Sequence, residues 1–143
     1  MKKILHLVLS LCLCMAFFNA VAQSTGKGIS FFTGTFKEAI QQAKKENKKI
    51  FFDAYAEWCG PCRFMDSAIY TDPEIGAFFN QHFVSVRVDM EKGEGPELAK
   101  KLSSINGYPS LLFIKPGGFA YKTVLGSLTK EILLGEAKLA AIE

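Results

Sequence analysis

The sequence predicts an α/β domain built on a mixed five-stranded sheet with helices on both faces. Two observations predict it. Short, continuous apolar runs alternate along the chain with stretches whose apolar residues recur at helical spacing. The last two runs are separated by Pro116-Gly117-Gly118, a turn sequence that folds them into a hairpin. Alternation gives parallel strands and a hairpin gives an antiparallel pair, so a single sheet holds both kinds.

The chain of 143 residues is the size of one domain, and its 49% hydrophobic content, with 13 phenylalanines, suffices for a packed core. Gln23 to Gly28 is a polar lead-in, and Ile29 to Phe32 is the first expected strand. Thr35-Phe36-Lys37-Glu38 reads as a capping box opening a helix whose buried face is Phe36, Ala39, Ile40 and Ala43. Lys44, Lys45, Lys48 and Lys49 then sit where the helix end favours positive charge. Ile50 to Tyr55 is nearly all apolar, as in a strand covered on both faces, yet it carries Asp53 at its centre.

Trp58-Cys59-Gly60-Pro61-Cys62 leads into a helix reaching about Tyr70. A further helix begins at Asp72-Pro73-Glu74, with Asp72 as cap, Pro73 in the first turn and Ile75, Phe78 and Phe79 inward. Phe83 to Asp89 alternates, with Val84, Val86 and Val88 on one side, as a third strand. A short helix over Pro96 to Leu102, strands over Leu111 to Ile114 and Ala120 to Val124, and a terminal helix striped by Ile132, Leu133, Ala137 and Ala140 complete the order.

Residues 1–22 differ from the rest. Lys2 and Lys3 precede an apolar run from Leu7 to Phe18, and Ala20-Val21-Ala22 has the small-x-small pattern of a cleavage site. The expectation is an export signal cleaved after Ala22, leaving 23–143 as the domain in an oxidising, periplasmic compartment. A retained membrane anchor is the alternative, with a run short for a span of about 20 residues. A lipid anchor on Cys12 or Cys14 fits less well, because each follows a leucine. Cleavage lowers the 17 basic residues to 15 against 14 acidic ones, and no basic stripe dominates any segment, so nucleic acid is not an expected partner.

Cleavage also removes Cys12 and Cys14, leaving Cys59 and Cys62 as one C-x-x-C pair. A disulfide closed over two residues constrains the unfolded chain little, so a structural staple is a poor account of it. The spacing is also half a zinc site, but His82 is the one further nitrogen or sulfur ligand in the mature chain, so no metal and no other cofactor is expected. Dithiol chemistry explains more. Placed where a loop opens a helix, Cys59 meets unpaired N–H groups that favour a thiolate, the form that attacks disulfides. Cys62, about one turn on, is placed to resolve the mixed disulfide, and Pro61 has no N–H to lose in the first turn. Asp53, a carboxylate inside a buried strand, is expected to have a raised pKa suited to proton transfer. Tyr55, Phe64 and His82 are expected to serve the core and the fold.

Asp53-Ala54-Tyr55-Ala56-Glu57-Trp58-Cys59-Gly60-Pro61-Cys62 resembles the active-site segment of thioredoxins. Gly107-Tyr108-Pro109-Ser110 with the strand after it resembles that family's cis-proline loop, and Gly126-Ser127-Leu128 resembles the approach to its last helix. The resemblance spans about residues 30 to 142 and implies the thioredoxin fold. It also implies a redox disulfide between Cys59 and Cys62, with Cys59 as nucleophile, Cys62 as resolving thiol and Asp53 beneath Cys62 exchanging protons with it. Trp58, Gly60, Pro61, Tyr108 and Pro109 would contact substrate, with Trp58 covering the site, Tyr108 offering backbone groups and Pro109 cis against the dithiol. The stretch from Cys62 to Val84 is longer than in typical thioredoxins and closer to exported thioredoxin-like proteins and disulfide-reductase C-terminal domains; Tyr108 is bulkier than the family's usual residue there.

The implied activity is thiol–disulfide exchange with protein thiols or disulfides by a monomer. Gly60-Pro61 matches thioredoxin itself, whose potential of about −270 mV points to a reductant or isomerase rather than an oxidant near −120 mV. An exported reductant requires electrons across a membrane, which implies a membrane-embedded thiol donor. The contrasting function is a non-enzymatic binding module on the same fold, which has no need of the Cys59, Cys62, Asp53 and Pro109 constellation.

Overall fold

A computed structural model describes residues 27–143. The expected export signal, with Cys12 and Cys14, lies outside the described residues. The described chain runs α1 (Phe36–Glu46), β1 (Lys49–Tyr55), α2 (Gly60–Phe64), a π-helical turn (Met65–Ile69), α3 (Pro73–His82), β2 (Phe83–Asp89), α4 (Gly95–Lys101), β3 (Ser110–Ile114), β4 (Ala120–Leu125) and α5 (Lys130–Ile142).

Among the described residues the sheet has four strands in the order β2-β1-β3-β4, not five. β1 pairs in parallel with β2 and antiparallel with β3, and β3 pairs antiparallel with β4. The segment expected as a first strand makes only an isolated parallel bridge, Phe31 with Ser85. Its other backbone donors go elsewhere: Ile29 N–H to the Tyr70 carbonyl at 2.7 Å and Ser30 N–H to Asn80 Oδ1 at 2.8 Å. The segment is therefore pulled onto α3 and the end of the π-helical turn instead of extending a ladder along β2. Gly28 and Gly76 make this possible, since a Cβ on Gly76 would stand 2.4 Å from the Gly28 backbone.

Local chemistry accounts for the helix starts. The Thr35 hydroxyl accepts from Glu38 N–H while the Glu38 carboxylate accepts from Thr35 N–H, completing the capping box. Asp72 accepts from Glu74 and Ile75 N–H groups and caps α3. α2 and the π-helical turn form one continuous run, closed by Tyr70 N–H to the Met65 carbonyl. The wider π turn was not legible in the apolar spacing.

Alternation along β1 sorts two cores. Ile50, Phe52 and Ala54 face α1 and α4, packing with Phe36, Ala39, Ala43, Val84, Val86 and Leu98. Phe51 faces the π-helical turn, α3 and α5, packing with Met65, Ile69, Phe79, Phe113 and Leu133. Phe51 is the hub of that side, edge-on to Phe79 at 4.7 Å and 5.6 Å from Phe113. Such aromatic pairs add about 0.5–1.5 kcal/mol each beyond burial. Asp53 shares the parity of Phe51, so β1 aims a carboxylate at the face covered by the helical run that begins with the cysteines.

Candidate active site

β1 ends at Tyr55, and the chain turns through Ala56 to Trp58 before α2 begins. Cys59 is the N-cap of α2, and its Sγ accepts from Cys62 N–H at 3.1 Å. Pro61 occupies the first turn, where it removes a donor that the helix start leaves unpaired. Cys59 and Cys62 are joined as a disulfide. They are 2% and 1% exposed and pack with Ala56, Tyr55 and Tyr108. The Cys62 N–H is thus aimed at Cys59 Sγ from the first turn of α2.

Two aromatics border the pair. Trp58 is 66% exposed, and its indole N–H donates to both oxygens of Glu91 at 3.0 Å. Its ring meets Tyr108 edge-on at 5.9 Å. The Tyr108–Pro109 peptide is cis, Pro109 is buried, and its carbonyl accepts from Gly126 N–H at 2.8 Å. The loop before β3 is thus tied to the turn after β4, and it presents Tyr108 at the disulfide. Gly60 lies exposed at the start of α2.

Asp53 is fully buried, and its Oδ2 accepts from Arg87 Nε at 3.0 Å. β1 and β2 set these residues side by side in register. Burial pushes the Asp53 carboxyl up to about 6, against the pull of the Arg87 cation, which lowers it. Asp53 Oδ1 and the Tyr70 hydroxyl are both buried, and neither meets a hydrogen-bond partner among the described residues. The Tyr70 hydroxyl is itself pushed well above its usual value, by burial first and then by the Asp53 charge.

The expected site residues thus fall into two groups. Trp58, Gly60 and Pro61 adjoin Cys59 and Cys62 along the chain, Tyr108 packs against the pair and cis Pro109 follows it, while Asp53 lies within the sheet with Arg87 as its bonded partner. Phe64, expected in the core, is 51% exposed, because the helical run buries the stripe Cys62, Met65 and Ile69 and Phe64 falls off it. Tyr55 is half-buried with the Arg87 guanidinium 4.2 Å above its ring. His82 stacks on Phe78 at 4.4 Å at the end of α3. Among the described residues no group of three His, Cys, Asp or Glu is placed to hold a metal, and no helix is long and apolar enough to cross a membrane.

Sequence reasoning missed Arg87 and Glu91. Arg87 falls out of phase with Val84, Val86 and Val88, which marks it for the opposite face of β2. What the sequence lacked was the register that puts that position beside Asp53. Glu91 carried no signal, because its partner Trp58 is 33 residues away.

Comparison with known proteins agrees with this geometry. Residues 32–116 match the family model described as Thioredoxin-like. A thioredoxin from Alicyclobacillus acidocaldarius is 35% identical over 104 residues, covering 72% of this chain and 90% of that protein. Spermatogenesis-associated protein 20 of Mus musculus is 35% identical over 88 residues, but the match takes in 57% of this chain and only 11% of that much longer protein. The solution structure of a candidate disulphide-isomerase from Bacteroides thetaiotaomicron superposes with a TM-score of 0.71 at 38% identity, covering 82% of this chain and 96% of that one. With a thioredoxin fold, and with Cys59 and Cys62 as its bonded cysteine pair, the chain belongs to the thioredoxin-like family of disulfide oxidoreductases.

Proposed function

We propose that this protein is an exported thiol–disulfide oxidoreductase that reduces or rearranges disulfides in protein substrates through Cys59 and Cys62. The observation that carries the reading is the bonded pair at the start of α2, with Cys59 Sγ on the Cys62 N–H and the exposed Trp58 beside it. In the reduced enzyme the Cys59 thiolate attacks a substrate disulfide, forming a mixed disulfide and expelling one substrate thiolate. Cys62 then attacks Cys59 Sγ, giving its proton to the Asp53 carboxylate, and the second substrate thiolate leaves. Two electrons have passed to the substrate, and the Cys59–Cys62 disulfide remains. Trp58 and Tyr108 meet edge-on beside the disulfide, so an extended substrate segment docks against this aromatic pair with its backbone along the Tyr108 loop.

Gly60-Pro61 supports the reductant or isomerase direction. With the export signal of residues 1–22, that direction calls for a membrane-embedded thiol donor to reset the pair in the periplasm. Insulin reduction driven by dithiothreitol tests the activity. The wild type is expected to accelerate it and Cys59→Ser to fall to the uncatalysed rate; equal rates for the two would leave only a binding module on this fold.

A further inference from the structure

Asp53 does not face its cation alone. Arg87 donates from Nε to Asp53 at 3.0 Å and from Nη1 to Asp66 Oδ1 at 2.7 Å. Its plane lies over the Tyr55 ring. One guanidinium thus joins three elements: β1 through Asp53 and Tyr55, β2 through its own backbone, and the π-helical turn through Asp66. The two carboxylates differ sharply in setting. The Asp53 side chain is 1% exposed and the Asp66 side chain 51%. Tyr70, at the end of the π-helical turn, is a further titratable group that acts on Asp53. β3 sets Leu111 beside it, and α5 brings Leu133 to the same core.

We propose that Arg87 is a positioning residue for the resolving step, and that Asp66, by holding the outer half of its guanidinium, sets how readily Asp53 takes the Cys62 proton. The physical argument is the balance of charge on a single cation. Alone, Arg87 favours the ionised form of Asp53, as an opposite charge at this distance does. Asp66 offsets part of that field and adds a like charge of its own, so Asp53 holds a proton more readily. Only an Arg fork serves both partners at once from different nitrogens. Because Asp66 reaches solvent, a basic group of a docked substrate that pairs with it frees the whole Arg87 charge to act on Asp53. The surface of the active-site helix is thereby coupled to the buried acid. This inference rests on Asp53 being the proton acceptor in the reading above.

The test is a carboxyl carbon-13 NMR titration of Asp53 in the full chain, oxidised so that neither cysteine titrates, with its signal assigned by Asp53→Asn. Arg87→Met is expected to raise the Asp53 midpoint by about one pH unit or more, as loss of an adjacent opposite charge does. Asp66→Asn is expected to lower it by about half a pH unit, since an exposed charge is partly screened. Arg87→Lys is expected to lie nearer the wild type than Arg87→Met does, because it restores the charge. Midpoints that move the same way in Arg87→Met and Asp66→Asn, or that stay still, would overturn the proposal. If Arg87→Met does not fold, the exposed Asp66→Asn decides by itself, a downward shift supporting the proposal and any other result refuting it. The pH midpoint of mixed-disulfide resolution is expected to follow the Asp53 midpoint, and its failure to do so would equally refute the role. The titration needs no substrate, so its outcome is independent of whether insulin is reduced.

Discussion

Cys62→Ser is expected to turn the enzyme into a trap. With Cys59 free and its resolving partner gone, incubation with an oxidised protein substrate accumulates a stable mixed disulfide, close to one substrate per enzyme. Turnover then depends on thiol from solution. A well-placed intramolecular group acts at effective concentrations up to about 10⁵ M or more, so turnover in millimolar thiol is expected to fall by about 10³-fold or more. Cys59→Ser is expected to trap nothing. Non-reducing electrophoresis and mass spectrometry distinguish the two. The asymmetry follows from geometry: Cys59 is the N-cap whose Sγ accepts a backbone N–H, and Cys62 lies within the first turn that the cap begins. Trapping by Cys59→Ser and not by Cys62→Ser would reverse the assignment of nucleophile and resolving thiol.

Asp53→Asn is expected to make the protein more stable at pH 7 and slower at the same time. Burial, opposed by Arg87, raises the Asp53 carboxyl from 3.8 to about 6 in the folded chain. The folded state therefore holds this proton more tightly than the unfolded state does. The contribution to stability is fully present below about pH 4 and is lost as pH rises through about 6. At pH 7 the ionised carboxylate costs roughly 3 kcal/mol, because each tenfold difference in proton affinity between the folded and unfolded chain is worth about 1.4 kcal/mol. Asparagine removes that cost, less whatever Arg87 loses with its partner. Urea unfolding is expected to show the variant gaining on the wild type between pH 4 and pH 7, while resolution of the mixed disulfide slows near neutrality. A variant whose stability relative to wild type is flat across that range would show that burial does not raise the Asp53 carboxyl. Stability set against activity at one residue is what a buried acid kept for proton transfer predicts.

The route from sequence to site was uneven, for physical reasons. The helix caps at Thr35 and Asp72 and the strand over Phe83 to Asp89 depend on neighbours within a few residues, so local patterns exposed them. The C-x-x-C spacing carried its own chemistry, and Asp53 stood out because a charge in an apolar run demands an explanation. The first strand failed for the opposite reason. Ile29 to Phe32 has strand-like composition, but its hydrogen bonds are settled by the Tyr70 carbonyl and by Asn80, which tertiary packing delivers. Arg87 and Asp66 were invisible as a pair because their meeting requires both the β1–β2 register and the course of the π-helical turn. Phe64 shows the same limit in reverse: its apolar character suggested the core, and one step around the helix places it in solvent.

We propose that the Cys59–Cys62 dithiol gives its electrons to substrates, and equilibration of the pair with glutathione buffers tests this most directly. Quantifying the dithiol and disulfide forms by thiol alkylation gives the potential. A value near about −270 mV is expected, and one near about −120 mV would contradict the account by making the protein an oxidant.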